Sequence, residues 1–374
     1  MRSLRTTLIA AAIAAAIAAA IAAAPLGAAA QGVADAAAAV MPQYVTVKIG
    51  SGATAKTVSQ TTVPFVFVLP LTSRFNVDVA TAFASSDVAV DGKSVSSISG
   101  LTDTQVRANL TLGNDAVVFT VGANLPTGQY KIAEDKADAA GQIGNDFLIF
   151  PTSSYGSGLS TTGGVALARS VGTWNVGLAG SFRKSTEFDA YSADDGTGKQ
   201  VLTFTPADEV RARVGADRAI GNGRLALGVT FSTFGNDMLS NTSYATGDRY
   251  IGQGSLFYPV GGMDVYLSGW GLYRAKGQQF GGEAPSETVA NGALAVGFHR
   301  GNWYIEPNVE ARNWQVDGYK AGLLGSGGVR LRWTAGAFTL MPSATYQYGR
   351  LYTLGGGETY DVTGWRAALT FRLH

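Results

Sequence analysis

The chain holds two histidines, His299 and His374, and no cysteine, so few side chains are available for acid–base, nucleophilic or metal chemistry. Without thiols there is no disulfide framework, thiolate metal site, cysteine nucleophile or acylated-cysteine lipid anchor. A hydrolytic constellation needs a nucleophile, a base and an orienting group within hydrogen-bond reach. His374 is the terminal residue, and His299 adjoins the turn Arg300-Gly301-Asn302, away from the segments that would meet a substrate. The chain is therefore read as a non-enzyme. Glu306 and Glu310 sit four residues apart, about 13 Å along a strand at ~3.3 Å per residue, too far for paired catalytic carboxylates. Asp189, Asp194 and Asp195 before Gly196 lack the spacing of a calcium loop, so a solvated acidic loop is expected, with no metal and no cofactor.

What remains is arginine. Arg107, Arg183, Arg211, Arg213, Arg224, Arg312, Arg330, Arg332, Arg366 and Arg372, with Glu306 and Glu310, recur on the polar side of alternating segments. Rings of charge along a pore wall set its ionic selectivity, and these residues are predicted to line a lumen, with a preference for anions. The same side chains could instead neutralise one another and fill a barrel as a polar plug, and both readings stand at this stage. A formal net charge of +1 gives no field for nucleic acid.

The elements that must position these residues alternate with period two. Trp365, Ala367, Leu369, Phe371 and Leu373 oppose Arg366, Ala368, Thr370 and Arg372, and Val210, Ala212 and Val214 oppose Glu209, Arg211 and Arg213. Segments of about ten residues suit a membrane-spanning strand rather than the ~5–6 residues of a soluble one. Tight Gly/Asn connections at Pro70 to Ser73, Gly113-Asn114, Gly172-Thr173, Gly221-Asn222-Gly223, Val260-Gly261, Gly301-Asn302 and Gly336 alternate with polar stretches. Those stretches, near Ser85 to Asp103, Pro126 to Gly144, Ser185 to Thr205, Gly235 to Asp248, Lys276 to Glu287, Val316 to Leu323 and Arg350 to Tyr360, are the expected outer loops. The fold expected is all-β, an antiparallel transmembrane β-barrel of sixteen strands, with fourteen as the alternative. Charged residues at 15% and 49 glycines agree with a lipid-facing surface rather than a soluble one.

Arg2 and Arg5, the apolar run Leu8 to Ala24, and Ala28 to Ala30 form a secretory signal pattern over residues 1–30. A short periplasmic segment, 31–43, is expected next, and then the barrel over 44–374 starting at Tyr44. This places the protein in a Gram-negative outer membrane, with the lipid bilayer, the outer-membrane assembly machinery and a small-molecule solute as partners. Monomer and trimer are both compatible with it.

Gly100-Leu101-Thr102-Asp103-Thr104, an Arg-bearing strand, and Leu125-Pro126-Thr127-Gly128 together resemble the outer-membrane barrels of the phenol-degradation (meta-pathway) family, which is related to the long-chain fatty-acid transporters. The resemblance covers Val63 to Gly128 and implies passive passage of small hydrophobic or aromatic compounds. The long N-terminal hatch of the fatty-acid transporters has no counterpart here. The function expected is an outer-membrane channel; the alternative is a non-conducting structural or adhesion barrel whose outer loops bind partners.

Overall fold

Alternation of apolar and polar residues builds one antiparallel sheet that closes on itself. The computed structural model describes residues 37–374 apart from 114–115, 195–198, 280–281, 337, 354–357 and 374; the expected leader, 1–30, lies outside the described residues. The 18 strand segments of the sheet make sixteen spanning strands, because the first and the fourth are each interrupted. These are β1 (Ala37–Val40 with Gln43–Ile49), β2 (Lys56–Pro70), β3 (Phe75–Val90), β4 (Lys93–Leu101 with Thr104–Leu112), β5 (Val117–Leu125) and β6 (Ser160–Val171). Next come β7 (Trp174–Ser185), β8 (Glu209–Ile220), β9 (Gly223–Phe234), β10 (Arg249–Val260) and β11 (Met263–Arg274). The circuit ends with β12 (Glu287–Arg300), β13 (Trp303–Val316), β14 (Tyr319–Ala335), β15 (Phe338–Tyr352) and β16 (Thr359–Leu373). Closure joins β16 to β1, from Gln43 opposite Ala368 to Ile49 opposite Val362. The first strand begins at Ala37, ahead of Tyr44.

The tight connections fall where the glycines stand, at one end of the barrel. At the other end two expected loops are absent. Ser85 to Asp103 and Val316 to Leu323 are mostly strand, turned by Asp91-Gly92 and Asp317-Gly318 with φ of 49°, 72°, 50° and 80°. Asp-Gly is the pair that a two-residue hairpin with both central φ positive requires. The loop 126–159 is longer than expected and holds the short helix Ala137–Ile143.

Polar residues outside the barrel explain why strand looked like loop. In the lower half of β3, Val77 and Val79 face outward while Asn76 and Asp78 face the lumen, where Asn109 donates to both polar side chains. In its upper half the chemistry reverses along the same two faces. Ala84 and Val88 point inward and are buried, with Val45, Val47, Val58, Ile98, Leu324 and Val362, against Ile143, Phe147 and Leu148 of the loop. Ser85 and Asp87 point outward, as do Ser97 and Ser99 of β4 and Thr46 and Lys48 of β1. This wall stands above the bilayer, and its inner face is a core.

Aromatic rings mark the two membrane surfaces. Near the tight turns, Trp303, Trp333, Phe338 and Phe371 follow one another around the rim at 6.4, 6.2 and 6.3 Å between ring centroids. Toward the long loops, Phe231, Tyr250 and Tyr273 form a second arc at 4.9 and 6.0 Å, and Tyr346 packs on Trp365. Leu227 lies outward between the girdles and is exposed. Leu227→Arg is expected to cost about 2–4 kcal/mol in urea unfolding from lipid vesicles, whereas Ser97→Arg, outward but above the bilayer, leaves the midpoint unchanged.

Candidate functional site

The lumen is shaped by the loop 126–159, and one carboxylate holds both ends of that loop. Asp103 occupies the interruption of β4 and is buried. Its Oδ1 accepts from the Gly128 amide at 3.1 Å, where the loop begins, and its Oδ2 accepts from the Ser157 amide at 2.7 Å, where it ends. Asn124 donates to the same Oδ2 at 2.7 Å. A Cβ at Gly128 would collide with the Tyr155 carbonyl oxygen and lie 2.6 Å from the Asp103 amide, so only glycine passes through the clasp. Thr127 hydrogen-bonds Thr104 at 2.8 Å. The two stretches singled out in the sequence, Gly100 to Thr104 and Leu125 to Gly128, are thus the two halves of this fastening.

From there the loop enters the barrel. Ser96 donates to the Asp135 carbonyl and accepts from the Ala139 amide, and Lys56 pairs with Asp138 at 3.3 Å. The tip crosses the lumen to the far wall. Arg274 binds Asp146 at 2.6 Å and Glu287 at 2.9 Å, Trp314 donates to Glu287 at 2.7 Å, and Phe147 stacks on Trp314 at 5.4 Å. Arg312 donates to the Phe147 carbonyl at 2.6 Å. On its way back the loop meets Gln60, whose amide both donates to the Thr152 carbonyl and accepts from the Thr152 amide at 2.8 Å. Tyr155 donates to the Ile98 carbonyl at 2.9 Å, and burial pushes its hydroxyl up to about 12, so it remains a neutral donor.

The expected arginines divide into groups. Arg183 and Arg211 share Glu209 at 3.4 and 2.7 Å, Arg224 binds Asp217 at 3.0 Å, Arg330 binds Glu306 at 3.2 Å, and Arg107 stands 3.8 Å from Asp78. Glu310 is shared by Arg312 and Arg366, the latter at 3.8 Å. Arg332 stacks over the Tyr304 ring, 4.5 Å from its centroid, and Arg213 has no ion pair among the described residues. Arg312 differs from expectation, being buried beneath the loop tip rather than facing water.

The wetted pairs share an asymmetry. Side-chain exposure is 39% for Arg183 against 5% for Glu209, 66% for Arg224 against 25% for Asp217, and 58% for Arg330 against 10% for Glu306. The short carboxylates lie in the wall, and the long guanidinium groups project from it. Arg183, Arg211, Arg224 and Arg330 face only Glu209, Asp217 and Glu306, and the surface that a solute meets is guanidinium.

Open space follows the wall that the loop leaves free. A cavity of about 670 Å³ is lined by Asn175, Arg213, Asp217, Gln253 and Trp270. It shares Ala226, Ser255 and Ser268 with a second of about 650 Å³ bordered by Arg224, Phe257, Tyr266 and Arg330. Phe257 and Tyr266 stack at 4.9 Å there. A third cavity, of about 410 Å³ at the tight-turn end, shares Tyr304, Arg332 and Met341 with the second. His299 lies in it, 3.6 Å from Asp264. Among the described residues no cluster of His, Asp and Glu could hold a metal ion.

Sequence reasoning missed Asp146, Arg274, Glu287 and Trp314. Arg274, Glu287 and Trp314 share the inward register of their strands and could have been found by extending the alternation; Asp146, in a loop with no period, could not. An even-stranded closed barrel with an apolar exterior, two aromatic girdles and tight turns at one end has the architecture of the bacterial outer membrane. The protein is an outer-membrane β-barrel. No family model matches the chain, and no curated protein matches it in sequence. Among solved structures it is similar to outer-membrane expressed OmpT of Vibrio cholerae, at 8% identity over 90% of this chain and 97% of that one, TM-score 0.43. It is also similar to an outer membrane channel from Pseudomonas putida F1, at 12% identity over 90% and 94%, TM-score 0.38. For OccK9 of Pseudomonas aeruginosa the values are 12%, 91% and 99%, and 0.37. At these TM-scores the likenesses say nothing of solute or mechanism.

Removing the clasp tests the role of the loop. Asp103→Ala is expected to cost about 3 kcal/mol locally, as charged hydrogen bonds to two loop amides are lost. The expected readouts are faster limited proteolysis within 126–159 and a larger, noisier single-channel conductance, with unchanged far-UV circular dichroism.

Proposed function

We propose that the protein is a passive channel for small solutes that favours anions, its passage running beside the inserted loop along β7 to β14. The observation that carries this reading is the burial asymmetry of the ion pairs. A permeating ion meets projecting guanidinium groups at Arg183, Arg211, Arg224 and Arg330, while their carboxylates stay in the wall. Arg213 and Arg332 add cationic surface with no carboxylate within ion-pair distance among the described residues. Fixed charge facing a narrow aqueous path attracts counter-ions and repels co-ions. Arg107 on β4 and Arg366 on β16 lie outside this path, Arg312 and Glu310 brace the loop tip, and Glu306 anchors Arg330.

The aromatic strip Phe257, Tyr266 and Tyr304 lies along the same cavities. It supports small aromatic compounds as solutes, since ring faces and guanidinium groups alternate on one wall. The resemblance of residues 63–128 agrees in implying such compounds.

Recording the purified protein in a planar bilayer under a potassium chloride gradient tests the reading. The reversal potential is expected to have the sign of chloride preference, and Arg213→Gln to reduce the chloride-to-potassium permeability ratio by about half. A reversal potential of zero, or a folded barrel that passes no current, would sink the proposal.

A further inference from the structure

The cavity at the tight-turn end contains two arginines, Arg332 and Arg372, that have no ion-pair partner among the described residues. It is lined by His299, Asn302, Tyr304, Arg332, Thr334 and Arg372, among others. Asp264, at its edge, is already engaged: Tyr304 donates to it at 3.1 Å and His299 Nε2 lies 3.6 Å away. Neither Arg332 nor Arg372 has an ion pair among the described residues. Arg213 and Arg249 are other inward arginines without an ion pair among the described residues, but Arg332 and Arg372 are two such residues lining one cavity.

Register brings the two together. Thr339 on β15 pairs with Arg372 on β16, and Trp333, next to Arg332 on β14, pairs with Leu340. Arg332 and Arg372 are therefore two strands and two residues apart, which places their Cα atoms about 12 Å from each other at ~4.8 Å between strands and ~3.3 Å per residue. Two extended arginines span that gap and can share one ligand of atomic-group size. Arg332 is held in place by the Tyr304 ring beneath it, and Tyr304 in turn by Asp264, so the cationic edge is preorganised rather than free to swing.

We propose that this vestibule is a binding site for a small oxyanion, a carboxylate or phosphate group, held between Arg332 and Arg372 with His299 alongside. Planar guanidinium groups match the paired oxygens of either anion. The proposal rests on the anion-favouring reading for its physiological meaning, as the last station of a permeating solute, but the site itself does not require conduction.

Isothermal titration calorimetry of the full-length barrel in detergent separates the two. Inorganic phosphate is expected to bind with a millimolar dissociation constant, Arg332→Gln and Arg372→Gln each to weaken it at least tenfold, and Arg332→Lys to retain part of it. Each variant is first shown to be folded by the difference in gel migration between its unheated and heated forms in detergent. Displacement of phosphate by acetate would assign the site to oxyanions generally, and phosphate binding that acetate leaves intact would assign it to phosphate; both support the site. Absence of binding by either anion, or binding unchanged in both Gln variants, would overturn it. Binding in a barrel that shows no chloride preference would leave the site standing while removing the channel reading.

Discussion

A single buried carboxylate determines what kind of pore this barrel encloses. Asp103 gathers the amides at the entry and exit of the loop 126–159, so that a segment with no secondary-structure period is confined at both ends to one point of the wall. The helix, the Phe147 tip and the return past Gln60 all follow from that confinement. Were the two ends free, the tip contacts would have to offset the ordering of the whole segment by themselves. With the ends fixed, a modest set of tip contacts, the Arg274 to Asp146 pair and the Phe147 stack, is enough to seat it.

The inserted loop also rationalises the reversed chemistry of the upper wall. A strand that carries Asn76 and Asp78 toward water and then Ala84 and Val88 toward a protein core changes solvent along its length without changing its pleat. The outer face changes in the opposite sense, from Val77 and Val79 in lipid to Ser85 and Asp87 above it. Period two is preserved while its meaning is inverted, since alternation reports which residues share a face and not which face is wet.

That distinction decides how much was legible beforehand. The tight turns at one end, the sixteen strands and the inward register of the arginines were readable because each is a local property: a glycine, an alternation, a length. Ser85 to Asp103 was misread as loop because polarity was taken for exposure to solvent at a loop, although Asp91-Gly92 carried the hairpin signal. The docking of Asp146 on Arg274 was beyond reach, for it joins residues far apart in sequence with no period to link them. The lumen arginines illustrate a further limit. Composition gives a net charge of +1, yet the difference in reach between Arg and Asp or Glu side chains turns the guanidinium groups of the pairs toward water, a property of depth that composition does not contain.

The inserted loop has anchors on β2, β3 and β4 near the beginning of the chain and on β11, β13 and β14 near its end. These strands become neighbours across a common interior only when β16 has met β1. Until the seam is shut the loop can hold only its near contacts on β2, β3 and β4, and its tip contacts on β11 and β13 wait for closure. The full seating of the loop tip is in this way tied to closure of the cylinder by chain topology.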